Sequence, residues 1–147
     1  MGGAAVKYRI TRANTRDLEI QALLIRMQQE CLPSDRPLNP TEGDWWICYA
    51  DNGAPAGFCS IKPSVRWEET GYLSRAGVLD AHPGKGLQKR MIKVRINRAK
   101  RLGWKWLLSD TSENPASANS LIACGFKMYE PRDPYGLKTS LYWRRRI

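Results

Sequence analysis

The chain has 147 residues, 42% of them hydrophobic and 26% charged, the composition of an ordinary globular domain long enough to bury a core. No apolar run approaches the roughly 20 residues of a membrane span. A formal net charge of +10 favours anionic partners such as nucleic acid, an acidic protein or a phosphorylated cofactor.

The N-terminal MGGAAVKYR lacks the apolar stretch of a signal peptide, and Val6 stands where a myristoylation pattern has Ser or Thr. A cytoplasmic protein is the expectation. Val6 to Ala13 alternates as a first strand, and Thr15 can cap a helix whose apolar contacts come from Leu18, Leu23, Leu24 and Met27. Pro33, Pro37 and Pro40 make the next stretch irregular. Asp44 to Ala50 and Ala56 to Lys62 read as strands joined by the Asp51-Asn52-Gly53 turn. Tyr72 to Leu79 reads as a fourth strand.

Then comes the densest chemistry of the chain, VLDAHPGKGLQKRMI, from Val78 to Ile92. A strand end passes through a glycine turn straight into a basic amphipathic helix. Such a helix start exposes unpaired N–H groups at the positive end of the helix dipole, a seat for phosphate or pyrophosphate that Gly84 and Gly86 leave open to close approach. The plainer alternative is a tight turn with no ligand. Between Ala81 and Ser109 stand Lys85, Lys89, Arg90, Lys93, Arg95, Arg98, Lys100, Arg101 and Lys105, with no acid among them. On a helical projection Leu87, Met91, Val94, Ala99 and Leu102 share the apolar face, and Arg95 and Arg98 intrude on it. The plain reading of the remaining cations is a solvated face. Gly103 ends the helix, Trp104 to Leu108 is a fifth strand, and Pro115 opens a helix that stops at Gly125. Phe126 to Tyr129 and Thr139 to Trp143 are two more strands, and the tail closes on Arg144, Arg145 and Arg146.

Cys31, Cys48, Cys59 and Cys124 lie far apart, with His82 the only histidine. This spacing argues against a metal site or a disulfide framework and fits reduced thiols. No nucleophile motif accompanies His82. A P-loop nucleotidase is excluded because Leu87, not a Lys-Ser/Thr pair, follows Gly86.

The order β-α-β-β-β-α-β-α-β-β, together with two motifs, resembles the GCN5-related N-acetyltransferase (GNAT) superfamily across essentially the whole chain. The first motif is Val78–Gln88, where Val78, Gly84, Lys85 and Gly86 match the spacing of that family's acyl-CoA pyrophosphate loop. The second is Asn114 to Phe126, NPASANSLIACGF, similar to the family's Asn-led helix ending in Gly-Phe. The resemblance implies an α/β (α+β) fold over residues 1–147. That fold is a mixed, mostly antiparallel sheet with splayed central strands and helices on both faces, forming one acyl-CoA-binding domain. It implies acetyl-CoA as co-substrate and an amine as acceptor. Backbone groups of Val78, Leu79 and Asp80 would meet the pantetheine amides, and N–H groups from Gly84, Lys85, Gly86, Leu87, Gln88 and Lys89 the pyrophosphate. Asn114 would lie near the cofactor arm. A monomer or homodimer is expected.

Several positions depart from the family pattern. Pro83 replaces the loop arginine and Gln88 the last small residue. Leu121 occupies the place of a tyrosine that protonates the departing thiolate, and Tyr72 that of a glutamate base. Tyrosine suits a base poorly at neutral pH, so Glu69 and Ser109 join Tyr72 as catalytic candidates. Transfer by direct attack of a neutral amine in a ternary complex needs little more than positioning and a polarised thioester carbonyl. The competing expectation is a catalytically impaired binding module of the same fold, whose basic helix takes nucleic acid or an acidic partner. Trp45, Trp46 and Trp67 fall near the expected acceptor side, although core packing is the plainer role for tryptophan. Asp35, Glu42 and Asp44 supply little acid around the loop from Leu32 to Gly43, which favours a weakly charged or anionic acceptor over a polyamine.

Overall fold

The structure, a computed structural model, describes residues 6–147; the N-terminal Met-Gly segment read above for targeting signals lies largely outside them. Seven strands form one sheet in the order β1-β2-β3-β4-β5-β7-β6. They are β1 (Tyr8–Arg12), β2 (Asp44–Ala50), β3 (Pro55–Pro63), β4 (Thr70–Val78), β5 (Trp106–Ser112), β6 (Lys127–Tyr129) and β7 (Ser140–Arg146). The helices are α1 (Leu18–Cys31), α2 (Leu87–Arg101) and α3 (Pro115–Ala123). Every neighbouring pair is antiparallel except β4 and β5.

Strand alternation decides which residues meet which helix. Trp45, Ile47 and Phe58 pack with Leu24 and Met27 of α1 on one face. Trp46, Cys59, Ile61, Leu73 and Leu107 pack with Met91, Ile92 and Ile96 of α2 and Leu121 of α3 on the other. Trp45 and Trp46 are thus core residues and do not line an acceptor cleft. At Gly77 a Cβ would come within 2.7 Å of the Cys31 Cβ, so glycine there lets α1 lie close on β4.

Local differences from the sequence reading have local causes. Asp17, not Thr15, caps α1, its carboxylate accepting from the Glu19 N–H at 2.9 Å. α2 is covered by the sheet and by α3, so its buried face is broader than the projection suggested. It takes in Leu87, Met91, Ile92, Arg95, Ile96 and Ala99, leaving Val94 half-buried and Leu102 exposed. β5 begins at Trp106 because the Trp104 N–H is still held by the Ala99 carbonyl at 3.1 Å, where Gly103 closes the helix with a φ of 75°. The strand then runs on through polar Ser109–Ser112, which pair with β7. The cationic tail is no free arm: Arg144 and Arg145 belong to β7, and the Arg144 guanidinium lies 5.1 Å from the Tyr129 ring centroid and 5.5 Å from that of Trp106.

Burial pushes the thiols of Cys31 and Cys59 up to about 11. At pH 8 each would hold a few-hundredfold less thiolate than a free cysteine. The folded protein is therefore expected to take up iodoacetamide at these positions at least roughly a hundred times more slowly than the denatured chain. Mass mapping of labelled peptides checks this; equal rates would contradict the packing of α1 and α2 on the sheet. Among the described residues no helix is long and apolar enough to cross a membrane.

Candidate active site

The sheet opens at its only parallel step. β4 and β5 pair through Thr70–Trp106, Gly71–Leu107 and Tyr72–Leu108, and no further. Beyond that point Leu73–Val78 and Ser109–Ser112 diverge. The opening has a second cause in β4 itself. Ser60 opposes Arg75 while Lys62 opposes Tyr72, so β4 carries one extra residue against β3. This bulge turns Tyr72 to the α1 face and leaves Leu73 on the α2 face, with the Ser74 hydroxyl 2.6 Å from that of Ser60. The diverging strands enclose a cleft of about 260 Å³ whose walls include Ser74, Ile92, Arg95, Ser109, Thr111 and Leu121.

The cleft leads to the glycine turn. Leu79 N–H donates to the Ala56 carbonyl and His82 N–H to the Leu79 carbonyl, both at 2.9 Å, and the Tyr8 hydroxyl lies 2.9 Å from His82 Nδ1. The turn is thereby tied to β1 and β3. Gly84 and Gly86 have φ of 67° and 70°, with nothing within 4 Å of where a Cβ would stand. Gly86 is the N-cap of α2 and offers no side-chain hydrogen bond to it. The first turn of α2, its N–H groups free of any side-chain cap, thus borders a hollow of about 330 Å³.

All nine turn residues singled out in the sequence, from Val78 to Lys89, line that hollow, and Gln88 lines the cleft as well. Asn114 is placed differently. Its side-chain oxygen accepts from the Ser117 N–H at 3.1 Å and caps α3, while Ser117 and Leu121 of that helix reach the cleft. Of the catalytic candidates, Tyr72 and Ser109 line the cleft. Glu69 does not: it sits in a turn with φ of 51°, at the closed end of the strand pair, its carboxylate 2.9 Å from Lys105 Nζ.

Tyr72 donates its hydroxyl proton to Asp110 Oδ1. Burial, and then the adjacent Asp110 carboxylate, push the Tyr72 pKa far upward, which favours the protonated phenol. Asp110 is the residue sequence reasoning missed. It was signalled as the first acid after the uniformly cationic stretch from Ala81, at the polar end of an apolar strand. On the far side of Tyr72 lies a hollow of about 180 Å³, bounded by Lys62, Val65, Arg66, Leu108 and Tyr135. The Tyr135 hydroxyl is buried without a partner, and the Arg66 guanidinium stacks 4.1 Å from its ring centroid.

Of the acids near the loop after α1, Glu42 pairs with Lys62 at 3.0 Å, and Asp44 with Arg12 at 2.6 Å and Arg98 at 2.9 Å. Most of that negative charge is therefore neutralised on the spot. Arg95 has no such partner. It is 2% exposed, donating from Nε to the Met91 carbonyl at 3.1 Å and from Nη1 to the Ser60 carbonyl at 3.2 Å.

A mixed, mostly antiparallel seven-stranded sheet, splayed between β4 and β5 with an uncapped helix start at its mouth, defines the GNAT fold. The sequence matches the model of the Acetyltransferase (GNAT) family over residues 10–126, and the chain belongs to that family. Among solved structures, it is similar to the NatC complex bound to Gag peptide and CoA (TM-score 0.77, 18% identity, 96% of this chain and 99% of that chain). It is similar to the IAA acetyltransferase from Bacillus cereus (TM-score 0.74, 15% identity, 96% of this chain and 100% of that chain). A third similar structure is yncA from Salmonella typhimurium, solved with its cofactor acetyl-CoA (TM-score 0.72, 18% identity, 95% of this chain and 93% of that chain). No curated protein matches the sequence.

Proposed function

We propose that the protein is an acetyl-CoA-dependent N-acetyltransferase that passes the acetyl group directly to a primary amine in a ternary complex. The observation that carries this reading is the continuity of the splayed cleft with the anion-ready start of α2, joined at Gln88. Membership of the acetyltransferase family and the acetyl-CoA and CoA bound by similar structures support the same co-substrate.

In this reading the N–H groups from Gly84 to Lys89 hold the pyrophosphate. The free edge at Val78, the end of β4, and at Asp80 beyond it pairs with the pantetheine amides, whereas the N–H and carbonyl of Leu79 are already held by Ala56 and His82; Lys85 and Lys89 add positive charge outside. Asn114 serves the cofactor arm indirectly by fixing the start of α3. Asp110 takes the proton of the incoming ammonium, and Tyr72 orients that carboxylate. Ser109 is a polar wall of the cleft, and Glu69 has no part in the chemistry. The acceptor enters past Tyr72, through the hollow bounded by Arg66 and Tyr135.

Acetyl-CoA at about a hundredfold excess over its Kd should stabilise the protein by about 2.7 kcal/mol, raising Tm by about 5–10 °C. Absence of a shift at millimolar acetyl-CoA would overturn the reading. The position of Leu121 favours a second reading, a binder without turnover. That binder would show the shift but release no CoA thiol with any member of an amine panel.

A further inference from the structure

Arg95 is buried against two backbone carbonyls, and no ion pair among the described residues includes it. A guanidinium taken out of water without a counter-charge is costly, and burial lowers its pKa. The titratable groups that act on its charge are thiols, Cys59 from β3 and Cys124 after α3. The charged groups elsewhere in the cleft wall are Asp110 from β5, Arg75 from β4 and Asp35 from the loop after α1. The fold therefore holds a cation facing a cleft in which neither acid of the wall, Asp110 or Asp35, is paired with it.

Its depth in the cleft identifies the anion. From Gly86 to Arg95 is nine helical residues, about 13 Å along α2. On the facing strand, Val78 to Ser74 is four residues, also about 13 Å. The two elements run in opposite directions: Leu87 packs with Val78, and Arg95 is tied to Ser60, whose hydroxyl meets Ser74. A pantetheine arm, comparable to about four residues of extended chain, starts at the pyrophosphate seat. Laid along β4, it brings its sulfur level with Arg95. Leu121 lines the same cleft and has no proton to give.

We propose that Arg95 is a catalytic residue that stabilises the CoA sulfur as it leaves carrying negative charge, an assignment resting on the acyl-CoA reading above. The amine nitrogen attacks the thioester carbonyl carbon, and the carbonyl π pair moves to oxygen. Asp110 has by then taken one proton from the incoming ammonium, and the second, left on the nitrogen of the adduct, passes to solvent. As the C=O bond re-forms, the C–S bond breaks and its electron pair stays on sulfur as a thiolate beside the guanidinium. The thiolate takes its proton from solvent afterwards. A fixed cation aimed at developing charge is an effective means of lowering such a barrier.

The test needs no acceptor. Calorimetric titrations of CoA and of desulfo-CoA, which lacks the sulfur, are run from pH 6.5 to 9.5 on the wild type, Arg95→Met and Arg95→Lys. Groups that both ligands meet, Asp110, Arg75 and Asp35 included, cancel in the ratio of the two affinities. With Arg95 in the proposed role, the bound thiol titrates below the value it has in free CoA. The CoA preference then rises with pH through the bound value and levels off above the free one, by about tenfold for each unit of lowering. Arg95→Lys keeps part of the rise. Arg95→Met loses it while its Kd for desulfo-CoA stays within about twofold of wild type. A flat ratio in the wild type, which requires no variant to fold, or an undiminished rise in Arg95→Met, overturns the assignment. Failure of the wild type to bind either ligand overturns the acyl-CoA reading itself.

Discussion

Asp110→Asn is expected to lower kcat by about 10²–10⁴-fold, the usual contribution of a positioned general base, with the Kd for acetyl-CoA little changed. The asparagine side-chain oxygen can still accept the Tyr72 proton, so the wall between cleft and acceptor hollow keeps its shape. What disappears is the carboxylate that receives the ammonium proton. The deficit should therefore depend on pH with a definite sign. As pH rises toward the pKa of an alkyl ammonium, about 10.4 for a lysine-like amine, more acceptor arrives already neutral and the variant gains on the wild type. Tyr72→Phe removes only the orienting hydrogen bond and should cost about tenfold or less. Steady-state rates of thiol release from pH 6 to 10, with an amine found in the panel, decide the matter. A loss that is constant across that range would show that Asp110 shapes the site and does not move the proton.

The fold was more legible than the catalytic centre, for a reason visible in particular residues. The element order and the glycine turn are local in sequence: alternation in β2 and β3, Asn52-Gly53 in the hairpin, and Gly84 and Gly86 before an amphipathic run each act over a few residues. The structure gives both glycines the positive φ that such a turn requires. The proposed catalytic geometry is non-local. Tyr72 and Asp110 meet only because the β4 bulge turns Tyr72 away from the α2 face, just where the β4–β5 ladder ends. Nothing in either strand's own sequence reveals a one-residue shift of register.

Arg95 shows the opposite relation. Its helical position already placed it on the apolar side of α2, and there it reads as a defect in the pattern. Only the splay of β4 and β5 supplies the cleft that makes a buried guanidinium intelligible. Residues that break a local rule without a local reason are where function is expected. Asn114 is the reverse case, since its position in the Asn-led motif suggested a ligand contact, whereas locally it follows the N-cap rule in full.

Gly86→Asp should abolish acetyl-CoA binding and leave the fold intact. Nothing stands within 4 Å of a Cβ at this position, and the φ of 70° is one that aspartate tolerates better than most residues. The cost to stability should therefore be no more than about 1–2 kcal/mol. For the cofactor the consequence is severe. The new carboxylate would occupy the N-cap of α2, where Gly86 now offers no side chain to the first-turn N–H groups, and would accept the hydrogen bonds proposed for the pyrophosphate. It would also set like charges against each other in one seat, which costs several kcal/mol, or about 10²–10³-fold in affinity. Thermal melts with and without acetyl-CoA separate the two effects: the apo Tm should fall by a few degrees and the ligand-induced rise should vanish. Gly86→Ala, which strains the same φ without adding a donor or an acceptor, should keep part of that rise. Equal loss in both variants would assign the effect to backbone strain and remove the grounds for placing the pyrophosphate at the start of α2.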